Sequence, residues 1–164
     1  MNVRRLSVIL LAVLVSSCGW HLQGSESQQK FDSFELVLTA QDIYSPLYRT
    51  FKRTYENRRV AIVSSGAPHL RLLQEKVTAR TVSLNTELDP AEETMMLAVS
   101  YEITIGKQPA QTFSTQTHKT LVLNKNRAAA RDSERARLLE EMRTEIAGRI
   151  LDQLITASEA NEAR

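Results

Sequence analysis

The sequence predicts an α+β fold: a mixed, mostly antiparallel sheet with two helices packed on one face, in the order β-α-β-β-β-β-α. Three observations carry this. Met95, Leu97, Val99, Tyr101, Ile103 and Ile105 occupy successive odd positions with mostly small or polar residues between them, the mark of a strand with one buried face. Two segments repeat apolar residues at helical spacing, one before and one after the strand-rich region. Between residues 69 and 123, strand-like segments follow one another through short turns, as in an antiparallel meander.

The elements follow in order. Phe34 to Ala40 is a strand with Phe34, Leu36 and Leu38 on one face. Ser45-Pro46 starts a helix, with Ser as N-cap and Pro in the first turn, where its missing N–H costs nothing. Leu47, Phe51 and Tyr55 then recur every fourth residue with Tyr48 alongside, Arg49, Lys52, Arg53 and Glu56 face outward, and Asn57 ends the helix. Arg59 to Ser64 is a short strand closed by Ser65-Gly66-Ala67-Pro68. In the strand His69 to Leu84, the apolar parity changes between Leu72 and Val77, which requires a bulge or break near Leu73-Gln74. Asn85 to Glu93 reads as a hairpin tip with Glu87, Asp89, Glu92 and Glu93, and Thr112 to Leu123 as a threonine-rich strand with one wet face. The last helix is expected from about Ser133 to Thr156, capped by Asp132 or Ser133. Its buried stripe is Leu139, Met142, Ile146, Ile150 and Leu154, widened by Leu138, Ala147, Leu151 and Ile155.

The amino terminus has a separate meaning. Arg4 and Arg5 precede the apolar run Leu6 to Val15, about ten residues and too short for a hydrocarbon core about 30 Å thick, so residues 1–17 read as a signal peptide. The run ends in Val15-Ser16-Ser17-Cys18, which resembles the bacterial lipobox, whose cysteine becomes a lipidated amino terminus. Cys18 is the chain's one cysteine, so an internal disulfide is excluded. Each buried methylene adds about 0.8 kcal/mol of membrane affinity, so two or three acyl chains on Cys18 would make attachment effectively permanent. Gly19, in place of the Asp that retains lipoproteins at the inner membrane, points to the cell outer membrane. Residues 18–33 then form a lipidated tether, 34–156 a single domain and 157–164 a polar tail.

Removing residues 1–17 takes two arginines from the 21 basic residues, leaving 19 basic and 19 acidic. A nucleic-acid partner thereby loses its electrostatic support. Catalytic chemistry is equally thin. His21, His69 and His118 are scattered without metal-ligand spacing, no phosphate-binding glycine loop or GxSxG elbow occurs, and the Glu92-Glu93 and Glu140-Glu141 neighbours point apart. The expectation is a non-enzyme with no cofactor and no metal. Charge clustering says more. Lys125, Arg127, Arg131, Arg135 and Arg137 follow the last strand, at the sheet end that also carries the acidic hairpin. Such a cluster can grip phosphates in bidentate fashion, or it can pair with the hairpin acids.

The segment Cys18-Gly19-Trp20-His21-Leu22 resembles the start of mature proteins of the LPS-assembly lipoprotein LptE family. The resemblance continues through Ser45-Pro46-Leu47, Pro68-His-Leu-Arg-Leu72 and Ala130-Arg-Asp-Ser-Glu134, with matching element order over about residues 18–156. It implies a plug inside the outer-membrane barrel LptD, a translocon that moves lipopolysaccharide to the surface, and assistance in barrel assembly. It also implies lipopolysaccharide contact through basic residues at one sheet end, where Arg131, Arg127 and Lys125 stand as candidates; the acids at 87–93 depart from that pattern. Trp20 and Leu22, with Gly19 and His21, would lie at the lipid interface beside the anchor. Thr115, Thr117 and Thr120 would meet a polar barrel interior. The competing reading is a free-standing periplasmic lipoprotein that binds a small ligand or cell-wall polymer in an apolar pocket beneath the sheet.

Overall fold

A computed structural model describes residues 34–84, 86, 90–123 and 128–162. The elements are β1 (Glu35–Ala40), α1 (Pro46–Asn57), β2 (Ala61–Ile62), β3 (His69–Leu84), β4 (Pro90–Thr104), β5 (Gln111–Val122) and α2 (Ala128–Glu162). The sheet order is β2-β1-β3-β4-β5. β1 runs parallel to both β2 and β3, and β3, β4 and β5 form an antiparallel meander. The α+β class and the element order are as the sequence predicts.

Local chemistry explains the first half. Ser45 sits extended before α1 and its Oγ accepts from the Tyr48 N–H at 3.1 Å, with Pro46 in the first turn. Such a cap is worth about 1 kcal/mol. At the other end Arg59 adopts φ 61°, and the Val60 N–H bonds back to the Tyr55 carbonyl at 3.0 Å. This left-handed helix ending, unusual for a non-glycine residue, consumes the start of the expected 59–64 strand. β2 therefore pairs only over Ala61–Ile62, flanked by bonds from Ala61 N to Phe34 O and from Val63 N to Leu36 O.

The meander carries the expected irregularity. The β3–β4 register shifts between Leu72 and Gln74, so Leu70 and Leu72 share a face with Val77 and Ala79 despite their opposite parity. The expected 85–93 tip is shorter: β4 begins at Pro90, and Glu92 and Glu93 pair with Val122 and Leu121. Proline is tolerated there as the first residue of a strand.

Both helices lie on the sheet face lined by Leu36, Leu38, Leu70, Leu72, Met95, Leu97, Val99, Tyr101 and Ile103, against Phe51 and Tyr55 of α1 and Met142, Ile146, Ile150, Leu151 and Leu154 of α2. Most of these are fully buried. Thr50 and Arg53 of α1 meet Glu140 of α2, while Arg58 reaches Asp152, so the helices run side by side in the same direction. The Arg58 guanidinium occupies room left by the missing side chain of Gly148, where a Cβ would stand 2.8 Å from Nη2.

α2 corrects two boundaries. It starts at Ala128 rather than Ser133, because Ala128-Ala129-Ala130 propagates the helix upstream, and Asp132 and Ser133 lie inside it instead of capping it. It also continues through the segment expected as a polar tail, reaching Glu162. Ser158 is buried, and the Gln108 side chain donates to Asn161 Oδ1 at 2.7 Å, pinning the last turns against the β4–β5 connection.

Candidate functional site

The basic end expected from the sequence is built where β4 and β5 meet the start of α2. Glu93 is on the helix-facing side of β4, like Met95, and Arg135 from the second turn of α2 reaches it: Nη2 to Oε1 is 2.7 Å. Glu93 is only 15% exposed and Arg135 35%. A bond so placed is charge-assisted and poorly screened, so Arg135 is committed to the fold rather than to a ligand. Its Nε is buried without a partner among the described residues.

Arg137 is committed differently. It pairs with Glu134 and Glu141 on its own helix, with Nε 2.9 Å from Glu134 Oε2. The hydrogen bond to Glu134 holds the guanidinium above its usual range, and the reciprocal bond holds the Glu134 carboxyl below its own. Arg137 is exposed and Glu134 partly so, and the pairing is that of neighbouring turns on one helix. Of the two open readings of this cluster, pairing with acids accounts for Arg135 and Arg137. Arg131, in the first turns of α2, is exposed and has no ion-pair partner among the described residues. Lys125 and Arg127 lie outside the described residues, as do Glu87 and Asp89 and the amino-terminal candidates Cys18, Gly19, Trp20, His21 and Leu22.

The threonines of β5 divide between two faces. Thr117 is buried under α2 and donates to Glu145 Oε1 at 3.1 Å, so it is unavailable to an outside surface. Thr115 shares its side. Thr120 faces the opposite way, beside Thr94 at 3.4 Å. His69 Nε2 lies 2.7 Å from Thr39 Oγ1 and is a structural contact, and His118 is exposed on the open face of β5. Among the described residues no three His, Cys, Asp or Glu side chains come together to hold a metal ion, and no helix is long and apolar enough to cross a membrane.

Sequence reasoning placed its cations after β5 and missed Lys76 and Arg80 on β3. The bulge conceals them: only after the register shift does their parity place them on the face away from the helices.

The family model LptE, described as lipopolysaccharide-assembly, matches residues 32–154. The chain belongs to the LptE family. Among its relatives, the LPS-assembly lipoprotein LptE of Photorhabdus laumondii is 29% identical, over 100% of this chain and 92% of its own length. That of Pectobacterium atrosepticum is 30% identical, over 96% and 88%. Among solved structures, rare lipoprotein B from Shewanella oneidensis superposes with a TM-score of 0.69 at 26% identity, covering 79% of this chain and 99% of that one. A minor lipoprotein from Acinetobacter baumannii shares the fold, with a TM-score of 0.59 at 16% identity, covering 75% and 91%. The LptE-family match spans β1 through most of α2, so it includes Arg131 and the whole sheet.

Proposed function

We propose that the mature chain is a non-catalytic lipoprotein subunit of a lipopolysaccharide translocon, held at the outer membrane by acyl chains on Cys18 and fitted inside an LptD-type barrel whose assembly it assists. The observation that carries this reading is the LptE-family match over residues 32–154 in a chain that opens with a lipobox ending at Cys18. Relatives that bear the name LPS-assembly lipoprotein support it across nearly the full length. Residues 1–17 serve as the signal peptide, 18–33 as the tether, and Gly19, Trp20, His21 and Leu22 lie at the membrane surface.

The physical form suits a plug. Phe51, Tyr55, Met142, Ile146 and Leu154 fill the space between helices and sheet, which favours a rigid insert over a module with a ligand pocket beneath the sheet. Lipopolysaccharide contact in this reading falls to Arg131, Arg127 and Lys125, since Arg135 and Arg137 are already paired with acids.

The test is co-purification. Tagged full-length protein extracted in mild detergent is expected to bring down a large outer-membrane β-barrel, and recovery as a partner-free monomer would refute the plug role. Cys18→Ala is expected to abolish acylation and membrane retention, read by mass spectrometry and fractionation. Replacing Arg127 and Arg131 together with Glu is expected to weaken lipopolysaccharide capture while barrel recovery stays intact; unchanged capture at moderate salt removes both from the site.

A further inference from the structure

β3 is an inner strand over only part of its length. β1 leaves it early: their register ends at Ala40 and Leu72, and the Gln41 N–H follows with a bond of 3.0 Å to the Leu72 carbonyl. The chain then turns at Asp42, whose carboxylate accepts from the Tyr44 N–H at 2.8 Å, and enters α1. Beyond Leu72, β3 runs on to Leu84 with β4 on one side and no neighbouring strand on the other among the described residues. Gln74 to Thr81 pair with Ser100 to Glu93 without interruption, and register shifts bound the run at both ends. This regular stretch, about 26 Å long, carries an unused ladder in which every second residue turns its N–H and C=O outward. The outermost strands differ: β2 has two residues, and β5 is engaged at mid-strand, where Arg149 donates to the Gln116 carbonyl at 3.1 Å.

Exposed apolar side chains collect at the same place. Of the seven large ones among the described residues, Val77, Val82 and Leu84 are on this part of β3, and Ile43 and Tyr44 follow shortly after Gln41. The helix-facing side of the run is bare because α2 passes over β4 and β5, bonding to Glu93 and Thr117. Arg143 reaches Glu75, but past it Val77, Ala79 and Thr81 are all exposed. On the opposite side Lys76 and Arg80 are exposed, with no ion-pair partner among the described residues. The acids on that side of β4, Glu102 and Glu92, lie beyond the two ends of the run and are engaged by Arg71 and Ser83.

We infer that Gln74–Thr81 of β3 is an acceptor edge for an extended segment of another protein, added in line with β1, in which acidic side chains alternate with apolar ones. Main-chain pairing supplies the attachment and the alternation supplies the choice of partner. The acids meet Lys76 and Arg80 on one side of the sheet, and the apolar side chains of the other parity cover Val77 and Ala79. An edge of this length with exposed apolar side chains is otherwise an aggregation hazard, which native sheets avoid by covering it. A second copy of this chain is a poor occupant, because antiparallel self-pairing about the middle of the run would gather Lys76 and Arg80 of both copies on one side. A lipid chain offers no hydrogen bonds to an open ladder. The inference does not depend on the plug reading.

The experiment uses the full-length lipoprotein in mild detergent and a dye-labelled synthetic peptide of about ten residues alternating Glu and Val. Saturable binding is expected by fluorescence anisotropy, with slowed amide hydrogen exchange confined to residues 74–81. Two further peptides carry methyl groups on all Glu nitrogens or on all Val nitrogens. One of the two is expected to bind about tenfold more weakly and the other to be tolerated, because a strand turns alternate N–H groups to opposite edges. Lys76→Glu/Arg80→Glu is expected to weaken the Glu–Val peptide about tenfold and to accept a Lys–Val peptide that the wild type rejects. A photo-crosslinking residue at Thr78 in the otherwise wild-type chain is expected to capture the Glu–Val peptide, and one at Gln116 is not; this arm holds even if the charge-reversed variant misfolds. Equal binding of both methylated peptides, or capture from position 116 in place of 78, overturns the assignment. Crosslinking of position 78 to a second copy overturns it in favour of self-association. No binding of the Glu–Val peptide to the wild type overturns it outright.

Discussion

The two faces of one sheet obey different rules. Toward the helices, β1, β3 and β4 contribute Leu36, Leu70, Leu97 and Val99 at no exposure, and the charged groups around that core close on one another. Away from the helices, the same strands contribute threonine, serine, glutamine and charged groups of both signs, Arg71, Lys76 and Arg80 with Glu92 and Glu102. β4 shows the contrast within a single strand, since Val99 is fully buried and its neighbour Ser100 is part of the uncovered face. Stability is thus concentrated on one side of the sheet. The other side is free to change its chemistry at little cost to folding.

The largest effect that would break this contrast is a cavity on the helix side. Phe51→Ala removes a fully buried ring packed edge-on against Tyr55 at 5.8 Å, and is expected to cost about 3–5 kcal/mol in denaturant unfolding. A loss below about 1 kcal/mol would mean that the core is loosely packed. Next comes the ion pair that ties α2 to β3. Arg143 Nε lies 2.8 Å from Glu75 Oε1, and both side chains are less than a fifth exposed. Arg143→Ala leaves that carboxylate largely desolvated and is expected to cost about 3 kcal/mol. Arg71→Ala on the open face breaks a pair in which Arg71 is half exposed, and is expected to cost at most about 1 kcal/mol. Equal losses for the two arginines would erase the distinction drawn between the faces.

A smaller effect concerns Tyr55, whose hydroxyl is buried without a partner among the described residues. Tyr55→Phe removes an unpaired polar atom while keeping the ring, and is expected to be neutral or to stabilise by about 1 kcal/mol. Burial raises the Tyr55 phenol well above its ordinary value of 10.0, and burial also raises that of Tyr101. The folded chain then keeps protons that the unfolded chain releases. This contribution is complete below pH 10.0 and is lost as pH rises through the folded values. Tyr55→Phe should flatten that alkaline decline, measured as denaturation midpoint against pH. The smallest effect belongs to the open face: Ser100→Ala and Thr120→Ala are each expected within about 0.5 kcal/mol of wild type.

Particular residues show how much was legible beforehand. Ser45-Pro46 announced the start of α1, and the apolar odd positions of β4 announced which side of it is buried, because caps and strand alternation are local properties. The parity change near Leu73 announced the bulge, and the stripe through Met142 and Leu154 announced the buried face of α2. The ends of α2 were misjudged, since polarity at 157–162 says nothing of the side-chain bond between Gln108 and Asn161. In the candidate site, the cluster after β5 was visible as a run of charges, yet its division into paired Arg135 and Arg137 and unpaired Arg131 was not. Ion pairing between β4 and α2 depends on atoms about forty residues apart.

By itself the sequence determined the lipobox, the order of elements, the face of each element that seeks the core and the family resemblance. All of these are written in spacings of a few residues. Only the tertiary structure decided which charges cancel, that Thr117 is buried while Thr120 is not, and that Lys76 and Arg80 share an uncovered face. Those outcomes depend on register between strands and on where α2 passes over them. A shift of one residue in register would send every side chain of a strand to the opposite side.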